Sequence, residues 1–244
     1  MSIASAIQLK QQQVAAAYTA CNNKGGTLPA TQNLTNLATC INSISSGQGG
    51  YAELPSYEVV DGQAKKSTYT LTGNEFSGIT SAANNAFRYG FYYSNLGGEL
   101  VFANLSVAPN YCFQNCFQTN NITSCDFGVT QAKSMSFASA FSSCSRLKTA
   151  YFKKLSSLEM LAFSTAFSYC IALENVYFNA LTTTSFGNDT NQFRNLMSNT
   201  GTSVTHRLHF PSNLQSTISG LDGYPLFGGT SGYVVCAFDL PATS

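Results

Sequence analysis

Apolar residues recur along the chain at a nearly constant interval. One series consists of Phe102, Phe127, Phe152 and Phe178, which lie 25, 25 and 26 residues apart. A second series, in steps of 26, 28, 26 and 26, consists of Phe87, Phe113, Phe141, Phe167 and Phe193. A period of about 20 to 29 residues is typical of leucine-rich repeats, in which each unit adds one strand to a stack. The pattern predicts a solenoid whose function lies on an extended surface.

Two helices are predicted ahead of the repeats. Apolar residues at alternating steps of three and four indicate one helix over residues 3–21, interrupted by Lys10, and another from Thr31 to Ile44. Helices this short need packing partners. They form either a hairpin within the chain or a hairpin that also builds a symmetric bundle. The candidate attachment and oligomerisation residues are Ile3, Ile7, Val14, Leu34, Leu37 and Ile41.

The pattern also sets the expected domain boundaries. Residues 1–44 form the helical module, and the Gly- and Ser-rich residues 45–50 form a linker. Residues 51–75 are predicted to form a β-hairpin around Asp61-Gly62 that caps a solenoid spanning 76–231. The strand-like residues 232–244 are expected to cap the other end. The predicted fold class is an α+β repeat.

The best repeats have the pattern A-F-x-x-C-x-x-L-x-x-x-x-F-x-x-L and begin at Ala140 and Ala166. This pattern resembles the BspA-type leucine-rich repeat, a family found in bacterial surface proteins and in some phage-encoded proteins. The resemblance runs from about Phe76 to Phe227. It implies a right-handed stack of strands with short turns or helices, a role in binding or adhesion, and no enzyme activity.

The N-terminal stretch carries a separate resemblance. Residues 14–39 resemble short helical modules at the start of phage tail and other virion proteins, and the specific part is K-G-G-T-x-P-A-T-x-N-L at residues 24–34. The resemblance implies that residues 1–44 attach the protein to a particle or form its oligomer. The solenoid would then be displayed beyond the glycine-rich linker.

Charge and hydropathy exclude several partners. Charged residues make up 9% of the chain, and 12 Lys and Arg against 11 Asp and Glu leave a net charge of +1. Nucleic-acid binding is therefore not expected. Neither a stretch of about 18 apolar residues nor a signal peptide at the start of the chain is visible, so no membrane insertion is expected.

The eight cysteines are predicted to be mainly structural. Cys116, Cys144 and Cys170 each follow a repeat phenylalanine by three residues, which suggests one buried position in successive repeats. Cys112 and Cys116 form a C-x3-C pair, but no second pair follows at zinc-ligand spacing. Cys125 stands alone, and Cys21, Cys40 and Cys236 are expected to be structural as well. A disulfide between Cys21 and Cys40 is an open alternative if their helices are adjacent.

Catalytic chemistry has little support in this sequence. The two histidines, His206 and His209, form an H-x-x-H in a strand-like stretch, where positions three apart face opposite sides and cannot easily bind one metal ion. No catalytic triad, paired carboxylates or phosphate-binding loop is apparent. We expect no enzyme activity, cofactor or metal.

Two segments are candidate binding surfaces. The first is aromatic, Tyr89, Phe91, Tyr92 and Tyr93, with the alternative that these side chains merely cover the first turns of the solenoid. The second is a loop at 198–203, including Asn199 and Thr200. The step from Phe193 to Phe227 is 34 residues, so this loop is expected to leave the stack.

These features favour a virion-associated structural or receptor-binding protein of a bacteriophage. The alternative is a bacterial BspA-like cell-surface adhesin. The expected partners are other virion proteins or copies of the same chain, with a trimer as one option, and a glycan or protein on the host surface. The expected location is the virion, or the bacterial cell surface under the alternative.

Overall fold

A computed structural model describes residues 58–60, 63–65 and 69–243. The predicted helical module (1–44) and the linker (45–50) lie outside these described residues. The strands are β1 (Glu58–Val60), β2 (Gln63–Lys65), β3 (Tyr69–Thr72), β4 (Leu96–Phe102), β5 (Val107–Ala108), β6 (Asn121–Phe127), β7 (Gln131–Ala132), β8 (Thr149–Tyr151), β9 (Ser157–Leu158), β10 (Asn175–Tyr177), β11 (His206–Pro211) and β12 (Val234–Leu240).

Seven parallel strands form the main sheet, in the order β12-β11-β10-β8-β6-β4-β3. A second parallel sheet of three short strands, β5-β7-β9, forms another side of the stack. Each turn of the chain supplies one strand to the main sheet, so this part of the protein is a parallel β-solenoid of about seven turns. The repeating strand predicted from the sequence is confirmed.

Helix is scarce in this solenoid. Within the described part of the chain there is only a 3-10 turn, Ser212–Leu214, followed by the five-residue helix α1, Gln215–Ser219. The described repeats therefore contain less helix than the predicted α+β class implies. Hydrogen-bonded turns occupy the side on which a leucine-rich repeat can carry a helix.

The turn side of the solenoid is built from paired four-residue units, here called tetrads. In each tetrad the first and fourth residues face outward, the second is small, and the third is Phe. The first residue has a positive φ. The Asn115 N–H donates to Ala138 O of the next turn at 3.0 Å, whereas the Cys116 N–H closes a local turn on Phe113 O at 3.0 Å. The clearest pairs are residues 111–118 (YCFQNCFQ), 135–142 (MSFASAFS) and 161–168 (LAFSTAFS).

The phenylalanines of the main sheet form one stacked column inside the solenoid. The rings of Phe102 and Phe127 are 5.1 Å apart at 6°, and those of Phe127 and Phe152 are 5.6 Å apart at 11°. The first predicted series is therefore confirmed. The whole column is Phe76, Phe102, Phe127, Phe152, Phe178, Phe210 and Phe238.

The second predicted series joined two different columns. Phe113 stacks on Phe137 at 5.2 Å, not on Phe141, which instead stacks on Phe117 at 5.6 Å. Because each turn carries two tetrads, it has two phenylalanines four residues apart, and the 28-residue step crossed from one to the other. The columns are Phe87, Phe113, Phe137, Phe163 and Phe193, and Phe91, Phe117, Phe141 and Phe167.

The same correction applies to the cysteines. Cys144 and Cys170 occupy one position, from which their thiols donate to Phe117 O at 3.1 Å and Phe141 O at 3.0 Å. In the preceding turn that position is held by Asn120, whose side-chain amide donates to a main-chain oxygen in the same way. Cys116 lies instead in the tetrads. Burial raises the pKa of the Cys144 thiol to about 12, so it remains a neutral donor near neutral pH.

The strands near the two ends of the solenoid pair in different ways. β1 and β2 pair antiparallel, as predicted for a hairpin at this point of the chain. The run that reaches Leu71 is not part of that hairpin, because β3 pairs in parallel with β4 and opens the main sheet. The solenoid therefore begins before Phe76. At the other end, β12 pairs in parallel with β11 as the last strand of the same sheet.

Close approach between neighbouring turns gives a stability prediction at Gly128. A Cβ placed there would lie 2.0 Å from Ala103 O, a main-chain atom that cannot rotate away. We expect Gly128→Ala to lower the free energy of unfolding by about 1–3 kcal/mol through overpacking, as measured by urea denaturation. In the control Gly220→Ala, the nearest atom would be 3.4 Å away, and the change should be small. Equal losses in both variants would contradict the close packing of these turns.

Candidate binding surface

Three tyrosines form an exposed cluster on the turn side of the first complete turn. Tyr89 and Tyr93 are 52% exposed and Tyr92 is 39% exposed. Tyr89 begins the second tetrad of its turn and Tyr93 directly follows that tetrad, and both point outward because the residues between them fill the core. The tetrad geometry therefore places these side chains on the surface. We call Tyr89, Tyr92 and Tyr93 the tyrosine cluster.

The rings of the tyrosine cluster pack edge to face. The Tyr92 ring lies 6.2 Å from Tyr89 and 4.4 Å from Tyr93, each at 84°. A side-chain hydrogen bond with Tyr93 raises the pKa of Tyr92, as expected when the protonated Tyr92 phenol is the donor. The Arg88 guanidinium lies 5.4 Å from the Tyr89 ring and 5.6 Å from that of Tyr111. The cluster thus combines apolar rings, hydroxyl groups and one positive charge.

The backbone under the cluster is held in a conformation that tyrosine disfavours. Tyr89 has φ of 56° and Tyr93 has φ of 54°, in the left-handed region. For a residue with a Cβ this region costs about 1 kcal/mol, and Asn tolerates it better. The Tyr89 column continues with Asn115 and Ser139, which have the same sign of φ. Large aromatic side chains here are therefore favoured neither by burial nor by backbone preference.

Phe91 does not belong to this surface. It is 3% exposed, stacks on Phe117 at 5.5 Å and meets Phe76 edge to face at 5.6 Å. Its inclusion among the candidate binding residues was wrong, because it is the inward phenylalanine of its tetrad. The alternative interpretation, that this aromatic run covers the first turns, holds for Phe91 but not for the three exposed tyrosines.

The second predicted surface is only half exposed. Asn199 is exposed, whereas Thr200 is fully buried and donates its hydroxyl to Met197 O at 3.0 Å. Thr200 was wrongly proposed as a surface residue. The step from Met197 to Phe210 is two residues longer than the step from Phe167 to Phe178, so residues 198–203 stay close to the stack. A larger insertion lies earlier in the same turn, where the step from Leu181 to Phe193 is four residues longer than the corresponding step from Leu155 to Phe163 in the preceding turn.

The two histidines lie on opposite faces of β11. His206 points inward, and its Nδ1 contacts Leu173 O. His209 lies on the outer face, with Nδ1 2.9 Å from the Asp239 carboxylate and Nε2 3.0 Å from Asn175 Oδ1. This is the alternation expected for a strand, and the pair does not converge. In the part of the chain that the structure describes, no group of three or more His, Cys, Asp or Glu is arranged to hold a metal.

The outer face of the main sheet carries a second aromatic set. The rings of Tyr151 and Tyr177 stack at 5.1 Å, and that of Tyr177 stacks on His209 at 4.3 Å. The Lys153 ammonium lies 4.2 Å from the Tyr151 ring centre. Because the rings stack on each other, their faces are covered and only their edges remain free. Sequence reasoning missed this row, since its members come together only through the register of β8, β10 and β11.

The remaining candidate residues are in the N-terminal module. Ile3, Ile7, Val14, Leu34, Leu37 and Ile41 lie outside the described residues, so their role in attachment or oligomerisation stays a prediction. Among the residues that are described, no helix is long and apolar enough to cross a membrane.

Comparison with known proteins identified no match to this chain. No protein-family model, curated protein or solved structure matches the chain. The geometry of this solenoid and the sequence resemblances described above are therefore the basis for a functional proposal.

Proposed function

We propose that this chain is a non-catalytic attachment protein of a bacteriophage particle. The solenoid presents the tyrosine cluster to a host surface, and residues 1–44 join the protein to the particle or to other copies of itself. The BspA-type resemblance of the repeats and the virion-module resemblance of the N-terminal residues support this proposal. The alternative is a bacterial cell-surface adhesin that uses the same solenoid surface.

The observation that carries the proposal is the tyrosine cluster. Tyr89 and Tyr93 are half exposed and have positive φ, so neither burial nor local backbone preference explains them. Because a positive φ recurs at the equivalent positions of other turns, what sets this site apart is three exposed tyrosine rings in contact on one surface. Tyrosine is also enriched where proteins bind partners, because it combines a rigid apolar ring with a polar hydroxyl.

The weakly charged surface indicates how such a partner is bound. The two Lys-carboxylate ion pairs of the described residues, Lys133 with Glu159 and Lys153 with Asp126, are solvent-exposed and contribute little. With a net charge of +1 for the whole chain, long-range attraction is also small. Binding through rings and hydroxyl groups should therefore vary little with salt concentration.

The location of the protein distinguishes the two proposals. Lysates of cells that produce the protein would be separated on a density gradient, and each fraction would be probed with an antibody against residues 69–243. A virion protein is expected to band with intact particles and to be labelled on them in electron micrographs. Recovery in the cell-envelope fraction, with none in the particle band, would contradict the phage proposal and support the adhesin.

Substitution of the cluster tests the binding surface. The triple variant Tyr89→Asn, Tyr92→Ser, Tyr93→Asn removes the rings, while Asn suits the positive φ, so the fold should be retained. Its binding to envelopes of susceptible cells should fall by about tenfold or more, because central aromatic residues commonly dominate binding energy. Association would be measured by biolayer interferometry at low and high salt.

The control places substitutions at the same tetrad positions two turns away. Ser139→Asn and Ser143→Asn occupy the columns of Tyr89 and Tyr93, with positive φ, but they alter no ring. This double variant should bind as the unsubstituted protein does. Undiminished binding by the triple variant, with its fold intact by circular dichroism, would show that the tyrosine cluster is not the attachment surface.

A further inference from the structure

A positive charge lies at one edge of the tyrosine cluster, beside rings that come from two turns. The Arg88 guanidinium carbon lies 5.4 Å from the centre of the Tyr89 ring and 5.6 Å from the centre of the Tyr111 ring. Tyr89 follows Arg88 in the chain, whereas Tyr111 begins the corresponding tetrad of the next turn. A guanidinium within about 6 Å of a ring centre is attracted to that ring. The two rings therefore favour one position of a long and otherwise mobile side chain.

The hydrogen-bond donors of Arg88 are available to a ligand. Its side chain is exposed and makes one hydrogen bond in the described structure, a long one of 3.5 Å from Nη1 to Asn85 Oδ1. None of the ion pairs among the described residues includes Arg88. A guanidinium carries several N–H donors in a planar fork. Most of them are therefore free to bind an external acceptor.

Another tetrad provides a matched arginine in a different setting. Residues 191–194 (NQFR) lie in the same column of tetrads as residues 85–88 (NAFR), so Arg194 is the counterpart of Arg88. Arg194 is also exposed, but no cation–ring contact of the described structure involves it. It lines a shallow cleft together with Asp222, whose carboxylate would repel an anion. The tyrosine rings and the absence of a paired carboxylate thus distinguish Arg88 from an arginine at the same position of the repeat.

This setting suits a ligand that carries an anionic oxygen group. A planar guanidinium can donate a parallel pair of N–H bonds to a carboxylate or a phosphate group. The exposed rings of the tyrosine cluster can contact the apolar atoms that carry such a group, and their hydroxyl groups are further donors. A cationic ligand would be repelled by Arg88.

We infer that the tyrosine cluster binds its partner through an anionic oxygen group, a carboxylate or a phosphate, that pairs with Arg88. The inference rests on the proposed attachment function and names the chemical class of the partner. A single exposed ion pair contributes little long-range attraction, so binding still varies little with salt concentration. The rings provide the contact area, and Arg88 provides selectivity for negative charge.

NMR titration of the purified full chain tests the pairing without a host cell. The probes are glucuronate and inorganic phosphate, with glucose as the neutral control, all at constant ionic strength. The resonances of the Arg88 Nε–H group and of the Tyr89 ring should shift with at least one anion and not with glucose. In Arg88→Gln the shift of the Tyr89 ring should be lost, whereas in the matched control Arg194→Gln it should remain.

Three results of this titration would overturn the inference. The first is that neither anion shifts the Arg88 resonance. The second is that the Tyr89 shift persists in Arg88→Gln. The third is that the Nε–H resonance of Arg194 shifts as much as that of Arg88, which would show that any exposed arginine of the chain attracts these anions equally.

Treated envelopes of susceptible cells distinguish the two sources of the anion. One sample has its carboxylates converted to neutral amides, and another has its phosphate esters removed. Binding of the unsubstituted protein should fall after one of these treatments, which identifies the group. Arg88→Gln should bind untreated envelopes about fivefold more weakly and should not respond to that treatment.

Two further variants complete the envelope experiment. Arg88→Lys should recover only part of the lost binding, because an ammonium group cannot donate the parallel pair of bonds. The control Arg194→Gln should bind as the unsubstituted protein does. Envelope binding that is unchanged by both treatments would contradict the pairing.

These outcomes are separate from those of the attachment proposal. A protein that bands with particles and loses envelope binding in the tyrosine triple variant, yet shows no response of Arg88 to either anion, would retain the proposed function and lose the anion site. A protein that binds an anion at Arg88 but is absent from particles would lose the phage proposal and retain the anion site.

Discussion

Face-to-face stacking of phenylalanine rings is the contact on which the solenoid depends. Ring centres in the main-sheet column lie 4.5 to 5.9 Å apart between neighbouring turns, close to the spacing of about 4.8 Å between hydrogen-bonded strands. Because rings and main-chain hydrogen bonds favour similar spacings, each turn can satisfy both at once. Burial of each phenylalanine contributes about 2–3 kcal/mol to folding. The two tetrad columns repeat this arrangement along the turn side.

This stacking determines which positions are free to vary. With two phenylalanines per turn directed inward, the first residue of every tetrad must face solvent with a positive φ, whatever its side chain. These positions, and the one directly after each second tetrad, accept Asn, Ser or Thr, as at Asn115, Ser139 and Thr119, and also Tyr89 and Tyr93. A regular interior therefore carries an outer surface whose side chains can change without repacking the core. Binding surfaces in repeat proteins exploit this separation.

The main-sheet column could be predicted from the sequence because each unit has one phenylalanine at the end of its strand. The tetrads could not be predicted from spacing alone. Because each turn has a second phenylalanine four residues from the first, the spacing assigned Phe141 to the column of Phe113. The same shift assigned Cys116 to the repeat position of Cys144. The doubled small-Phe pattern, as in YCFQNCFQ, was the signal that would have separated the columns.

The candidate surfaces were predictable to different degrees for the same reason. The density of aromatic residues predicted a surface at Tyr89, Tyr92 and Tyr93. Phe91 faces inward, unlike its neighbours, because it is the third residue of its tetrad. Thr200 is buried because it occupies the core position of Cys144 and Cys170, which follows the second tetrad of each turn. Tyr111, whose ring lies beside Arg88, belongs to the next turn, and only the three-dimensional register of the turns brings it to the tyrosine cluster.

Amide hydrogen exchange, resolved residue by residue, tests most directly the claim that main-chain hydrogen bonds between turns hold the tetrads together, with Asn195 as the position in its column that makes no such bond in the described structure. The amides of Asn115, Ser139 and Thr165 should be strongly protected, since each donates to the following turn. The Asn195 amide, at the equivalent position, should exchange about a hundredfold faster or more. Equal protection of Asn195, or rapid exchange at the three earlier positions, would contradict this account of the fold.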